Sequence, residues 1–291
     1  MNIVKYQMLI KAAEMKSITK AATALGYTQS ALSRSISDLE AEWGFPVIVR
    51  RKSNLTLTAD GEELIHSLRQ IIKWNENLMQ TVSEINGLRT GLVRIGSFES
   101  VAIDWIPRIV KSYIADYPNI NFEVAQGIYD DIGAWVRDDI IDCGFTVERY
   151  ADGYDFIPLI SDPYRVVLPP DNDLRSLDVF PVSKLGDFPF IVPGEGMAFE
   201  IGSLLKSASI KPNIRYSTEN DFVTLSFVEN GLGISILPQL VLKNYTGNVC
   251  AKELDCDFSR TIGIVVKDIK YAHPATKLFI EYTKAYINNL P

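Results

Sequence analysis

Histidine and cysteine are scarce in this chain. His66 and His273 are its only histidines, so a histidine-based metal site has almost no ligands to draw on. The three cysteines, Cys143, Cys250 and Cys256, are too few and too scattered for a disulfide framework or a zinc site. No apolar run approaches the ~20 residues that span a bilayer. The opening Met1-Asn2-Ile3-Val4-Lys5-Tyr6 lacks the charged, apolar and small regions of a signal peptide. Also missing are a Gly-x-Ser-x-Gly elbow, a Walker loop and a cysteine with a convincing histidine partner. The expectation is a cytoplasmic protein with no membrane contact, no cofactor and no enzymatic role.

What is present points to a globular chain of two or three units. Its 291 residues exceed one typical domain, and with 22% charged and 47% hydrophobic residues it is neither disordered nor fibrous. The net charge of −7 is unevenly spread. Residues 1–90 hold 11 Lys/Arg against 9 Asp/Glu, and the remainder holds 18 against 27. A slightly basic N-terminal part on a strongly acidic remainder suggests separate jobs, because phosphate attracts only the part that faces it.

Between Ile3 and Ala13 the apolar residues Tyr6, Leu9, Ile10 and Ala13 fall at helical spacing. Ser17 can cap a second helix from Ile18 to Leu25, and Gly26 can end it in a left-handed conformation. Thr28 can cap a third helix reaching about Trp43, with Gly44 as its stop. Two short helices joined by a glycine-containing turn read as a helix-turn-helix. In the third helix Leu32, Ile36, Leu39 and Trp43 form one buried stripe. Gln29, Ser30, Arg34 and Ser37 are free to meet base edges, Arg to guanine and Gln to adenine. A solvated polar face is the plainer reading of those positions. Against it stands the continuation: Val47 to Lys52, a turn at Ser53-Asn54, then Leu55 to Thr58. This reads as a β-hairpin wing with Arg50, Arg51 and Lys52 near its tip, suited to phosphate contacts.

These residues carry a resemblance. Ser17-Ile18-Thr19-Lys20-Ala21-Ala22, Leu25 to Arg34, Leu39-Glu40, Gly44, Arg50 and Leu57-Thr58-Ala59-Asp60-Gly61 resemble the LysR-type transcriptional regulators in order and spacing. Lys16 stands where the family usually has glycine, and Ile48 where it usually has phenylalanine. The DNA-reading set is taken as Thr28, Gln29, Ser30, Ser33, Arg34, Ser37, Arg50, Arg51, Lys52 and Thr58.

After Gly61, the residues Leu64, Leu68, Ile71, Asn75, Leu78, Val82 and Ile85 recur in steps of four and three. That is a heptad seam of about three repeats, with Asn75 able to fix register in a pair. A helix packed on its own domain is the alternative; the resemblance favours pairing through this linker. Asn86-Gly87 and Gly91 mark a hinge.

From Leu92 strands and helices alternate: Leu92–Ile95, Asn121–Ala125, Asp142–Thr146, Tyr164–Leu168, Phe190–Val192, Ile214–Tyr216 and Gly233–Leu237 read as strands. Such alternation implies mostly parallel sheets with ligand crevices at strand ends. This region also resembles the LysR effector domain, through Arg94-Ile95-Gly96, Ser100, Ile106-Pro107, Tyr117-Pro118, Gly127, Ile141-Asp142, Leu168 to Asp171, and Val228 to Ile234 with Leu237-Pro238. Asp139 replaces a frequent glycine. The implied fold class is α/β: an N-terminal all-α winged helix-turn-helix (1–60), a linker dimerisation helix (61–87) and a two-lobed, periplasmic-binding-protein-like effector domain (88–291). The lobes are expected at about 92–160 with 268–291, and at about 161–267.

Ser100 opens a helix after the first strand, so its hydroxyl and nearby N–H groups can hold an anionic group; simple helix capping is the alternative. The resemblance adds Ser97, Phe98, Gln126, Gly127, Phe145, Thr146, Pro193, Gly194 and Asp221 to the pocket. Acidic Glu99 and Asp221 favour a zwitterion or a neutral ring over a dicarboxylate. The expected partners are double-stranded DNA, a small-molecule effector, further copies of the chain (a dimer and a tetramer) and RNA polymerase. Two other functions compete. One is a thiol redox switch at Cys250 and Cys256; the other is a solute-binding or enzyme-like α/β domain.

Overall fold

The computed structural model describes residues 2–51, 54–85, 90–151 and 153–290, with residues 50, 51, 54, 84, 85 and 195–198 described by backbone alone. Two compact units result: the chain up to Thr90 with Arg137–Ile140, and Gly91–Val136 with the chain from Ile141 onward.

The first unit opens with α1 (Ile3–Glu14), α2 (Ile18–Leu25) and α3 (Gln29–Trp43). A two-stranded hairpin follows, β1 (Ile48–Arg51) with β2 (Asn54–Leu57), and then α4 (Ala59–Ile85). Leu32, Ile36 and Leu39 of α3 are fully buried against Tyr6, Leu9, Ala21 and Ala22. Each Leu or Ile withdrawn from water this way stabilises the unit by about 1.5–3 kcal/mol. Ser17 and Thr28 cap α2 and α3 by accepting from the Lys20 and Ala31 amides. Gly26 and Gly44 close those helices at φ 72° and 84°. The Glu40 carboxylate accepts from the Val47 and Ile48 amides at 2.9 and 3.2 Å, which fixes the hairpin to α3.

Lys16 ends α1. The Lys16 amide donates to the Ala13 carbonyl and the Ser17 amide to the Ala12 carbonyl, the paired bonds that close a helix on a left-handed residue. Lys16 accordingly sits at φ 48°, where the resemblance expects glycine. Asp139, the other glycine replacement, sits at φ 54°. A side chain in this region costs about 1–2 kcal/mol, whereas glycine gives back about 0.5–1 kcal/mol through the freedom of its unfolded chain. Lys16→Gly is therefore expected to stabilise the first unit by about 0.5–1 kcal/mol, seen as a raised thermal midpoint. A fall in that midpoint would contradict the assignment of strain.

α4 starts two residues before Gly61, not after it. Thr58 Oγ1 accepts from the Gly61 amide at 3.0 Å and donates to the Pro46 carbonyl at 3.0 Å, fastening the helix start to the hairpin. A Cβ at Gly61 would lie 2.2 Å from the Val47 oxygen, so only glycine fits. At 27 residues the helix is about 40 Å long. Its apolar seam is divided. Leu64, Leu68 and Ile71 pack into the core of the first unit, while Trp74, Leu78, Met79 and Val82 are exposed. The first part of the heptad expected over three repeats is thus used within the unit, because the early turns of α4 lie against α1 and β2.

The second unit begins β3 (Gly91–Ser97), α5 (Glu99–Asp116), β4 (Ile120–Gln126), α6 (Tyr129–Arg137) and β5 (Cys143–Val147). β3 lies between β4 and β5, parallel to both. The 14-residue strand β6 (Asp155–Leu168) leads into β7 (Val179–Phe180), β8 (Pro189–Val192), α7 (Glu195–Ser207) and β9 (Asn213–Ser217). Then come α8 (Asp221–Glu229), β10 (Ser235–Pro238), α9 (Gln239–Lys243) and β11 (Cys250–Leu254), and the chain returns through β12 (Ser259–Val266) to α10 (Pro274–Asn288).

The sheets are mixed, not mostly parallel. β12 runs antiparallel to both β5 and β6, and β6 runs antiparallel to β10 and β11. The reason is connectivity: β6 carries the chain out of the first lobe and β12 carries it back, so the two crossing strands must oppose each other. A bulge at Ile262/Gly263 bends the pair. Beyond it, β6 residues such as Val166 and Val167 enter a second core with Phe180, Phe190, Leu225 and Ile236.

Candidate functional site

Two surfaces gather the chemistry. On the first unit, Gln29, Ser30, Arg34 and Ser37 lie exposed on α3 and Ser33 is half-buried. Thr28 Oγ1 caps the helix and shares a hydrogen bond with Ser30 Oγ at 3.1 Å, which orients the first turn. Polar side chains on the turn opposite the buried stripe leave a helix that can enter a groove 12 Å wide without apolar obstruction. Arg50 and Arg51 are on β1. Lys52, Ser53 and Gly87, where the turn of the wing and a hinge are expected, lie outside the described residues. Thr58 is spent on the start of α4.

The second surface is a cleft of about 400 Å³ within the second unit. Of the residues expected there, Phe98, Glu99, Gln126, Gly127, Gly194 and Asp221 line it. They are joined by Ile128, Tyr129, Asp131, Glu219, Asn220 and Arg260. A Cβ at Gly127 would lie 2.6 Å from the Trp135 ring and 2.8 Å from the Asp131 carboxylate, so the wall closes there only on glycine.

The remaining expected residues stand behind the wall. Ser97 is buried and donates to the Phe98 carbonyl. Phe145 belongs to the core, ring to ring with Trp105 and Phe279. Thr146 and Pro193 are buried. Ser100 is buried too, and its hydroxyl accepts from Arg260 Nη2 at 3.3 Å. The positive end of α5 already faces a carboxylate, Glu99 in its first turn.

Arg260 organises the site. Its Nε and Nη2 donate to Asp162 Oδ2 at 3.0 and 2.8 Å, its Nη1 to Tyr129 Oη, and its plane lies 4.9 Å from the Phe98 ring centre. Asp162 Oδ1 accepts from the Leu240 amide, so the pair ties β12 and β6 to α9. Burial works against the Arg260 charge, and Tyr129, Asp162 and Tyr164 more than offset it. Burial also pushes the Tyr129 hydroxyl up to about 12. Across the cleft, Asn220 accepts from the Phe222 and Val223 amides to cap α8 and donates to both Glu99 oxygens at 3.1 and 3.0 Å. Asp221, beside it, is pushed up to about 6 by burial, with Glu99 adding to the shift and Arg260 opposing it.

The sequence reading missed Arg260, Tyr129, Asp162 and Asn220. Tyr129 and Asn220 had local signals: Tyr129 opens the helix after Gly127, and Asn220-Asp221 precedes an apolar helix as a cap does. Arg260 and Asp162 had none, since they meet only when two strands 98 residues apart pair.

Comparison with known proteins places both units. Residues 3–62 match the model described as bacterial regulatory helix-turn-helix protein, lysR family, and residues 86–287 match the LysR substrate binding domain. The chain belongs to the LysR family of transcriptional regulators. The regulator is 29% identical over 287 residues to the uncharacterized HTH-type transcriptional regulator YvbU of Bacillus subtilis, covering 98% of both chains. A full-length OxyR variant from Pseudomonas aeruginosa has a similar fold, with TM-score 0.78 and 18% identity over 99% of this chain and 95% of that one. The Synechocystis CcmR regulatory domain in complex with 2-PG matches at TM-score 0.65 and 20% identity, over 69% of this chain and all of that domain, 100%. At these identities both structures speak for the fold alone.

Among the described residues no helix is long and apolar enough to cross a membrane. Among the described residues no cysteine of the regulator is in a disulfide: Cys143 is buried in β5, Cys250 half-buried in β11 and Cys256 exposed. Burial and the flanking Asp255 and Asp257 push the Cys256 thiol up, away from the reactive thiolate.

Proposed function

We propose that the regulator reads a specific DNA site through α3 and adjusts that binding to a small molecule held in the cleft around Arg260. The exposed polar face of α3, capped at Thr28 and backed by the fully buried Leu32, Ile36 and Leu39, carries this reading. In it, Gln29, Ser30, Ser33, Arg34 and Ser37 meet base edges, and Arg50, Arg51 and Lys52 hold phosphates. Residues 1–60, 61–87 and 88–291 serve as DNA-binding, linker and effector parts. The exposed Trp74, Leu78, Met79 and Val82 of α4 favour pairing with a second copy, since a contiguous apolar face on a long helix is stable in water only when covered. Two such dimers would form the tetramer, working in the cytoplasm at promoters with RNA polymerase.

Titration of a specific and a random duplex tests the reading. Arg34→Ala is expected to cost about 1–3 kcal/mol on the specific site and to relax the preference at one base pair. Arg51→Ala is expected to weaken both duplexes alike and to flatten the salt dependence. Equal losses on both duplexes for both variants would overturn the assignment of α3.

A further inference from the structure

The charge lining the cleft is lopsided. Glu99, Asp131, Glu219 and Asp221 face it, and among the described residues Arg260 is the one cation there. That cation is already committed. Of five guanidinium N–H groups, four are directed at Asp162, Tyr129 and Ser100, leaving a single donor for any occupant. Because Asp162 neutralises Arg260, an occupant meets an essentially uncompensated set of carboxylates.

Those carboxylates are not equally occupied by the protein. Asp131 accepts from the Ile128 amide and Glu99 from Asn220. Asp221 makes no hydrogen bond among the described residues although it is half-buried. Glu200 on α7 acts on Tyr129 and Arg260, and its Oε2 is buried without a hydrogen-bond partner, although its own backbone amide and Arg149 favour its charged form. A buried carboxylate without a partner is unfavourable, and a fold retains it where something else supplies the partner. The acids do not converge: no group of three His, Cys, Asp or Glu among the described residues could hold a metal ion. A bare ion would reach one or two of them, whereas an organic cation with a body can span the cleft.

We propose that the occupant of this cleft is a small organic cation, an amine or guanidine protonated at neutral pH, whose charge sits against Asp221 with Glu99 and Glu219 beside it. An acceptor on the same molecule would take the remaining Arg260 N–H. This rests on the reading of the cleft as the effector site, and it excludes the simple dianions that an arginine-centred pocket would otherwise suggest.

Three probes of matched length separate the charge classes: putrescine, butanediol and succinate, each at millimolar concentration and constant ionic strength on the full chain. Putrescine is expected to raise the melting midpoint by about 2–4 °C, butanediol less, and succinate not at all. The putrescine shift is expected to vanish in Asp221→Asn/Glu99→Gln, and in Gln126→Trp, which fills the cleft without changing its charge. A larger shift with succinate, lost in Gln126→Trp, overturns the charge class and leaves the cleft as the ligand site. A shift that survives Gln126→Trp places the probe elsewhere and overturns the cleft reading itself. No shift with any of the three also overturns the charge class, since each is small enough to enter.

Discussion

Arg260→Met is expected to cost the second unit about 3–5 kcal/mol. Arg260 is 5% exposed, and removing its charge leaves Asp162, itself 6% exposed, ionised in a protein interior with only the Leu240 amide to hold it. Tyr129 and Ser100 lose their guanidinium partner at the same time. Hydrogen exchange should show the loss first in β6 and β12, the strands that the pair joins. The double variant Arg260→Met/Asp162→Asn is expected to recover most of the stability, because a neutral amide can still contact the Leu240 backbone without stranding a charge. A single variant as stable as the parent would mean that water reaches Asp162, and that Arg260 is not the cation that organises the cleft.

Asp221 sets the second large effect, and its sign is opposite. Its folded-state pKa is about 6 against an ordinary 3.8. Between those values the folded chain binds a proton that the unfolded chain has lost, so stability falls as pH rises from about 4 to about 6 and stays low above. The shift corresponds to roughly 3 kcal/mol at neutral pH. Asp221→Asn is therefore expected to raise neutral-pH stability by about 2–3 kcal/mol and to remove that part of the pH dependence. The groups acting on Asp221 are Arg260 and Glu99, with burial the largest influence. Urea unfolding at about pH 4 and about pH 7.5 measures both quantities. A variant no more stable than the parent at the higher pH would show that Asp221 is already well solvated or paired.

The N-terminal unit was legible because its information is local. Ser17, Gly26, Thr28 and Gly44 each act within a turn of where they stand, so caps and stops could be read to the residue. The seam of α4 was legible as a pattern but not as a partition. Nothing in the spacing of Leu64 to Val82 tells which apolar residues meet their own domain and which stay exposed. In the second unit the first three strands follow simple alternation, while β6 was read from Tyr164 and its first nine residues went unnoticed. Pro158 and Pro163 interrupt that stretch and argue against a central strand. In the structure they stand opposite two small residues of β12, Gly263 and Ser259. β12 itself was overlooked, and Arg260 with it. The six cleft residues expected from the sequence stand at the end of β4, in the turn after it and at helix starts. Of those it lacked, Arg260 and Asp162 depend on long-range pairing, whereas Tyr129 opens a helix and Asn220 caps one.

The return of the chain through β12 has a consequence for how the regulator is made. β5 is complete at Val147, yet its partner Ile262 is translated 115 residues later. At about 5–20 residues per second the ribosome leaves that edge bare for roughly 6–23 s. During this interval α1 to α4 are already outside, with every contact of the DNA-reading unit except Arg137–Ile140 contributed by residues up to Thr90. A message broken between the codons for Val147 and Ser259 therefore yields a chain with α1 to α4 synthesised and the β5 edge unpaired. Such fragments carry an unpaired strand edge, the feature that recruits chaperones or other open edges.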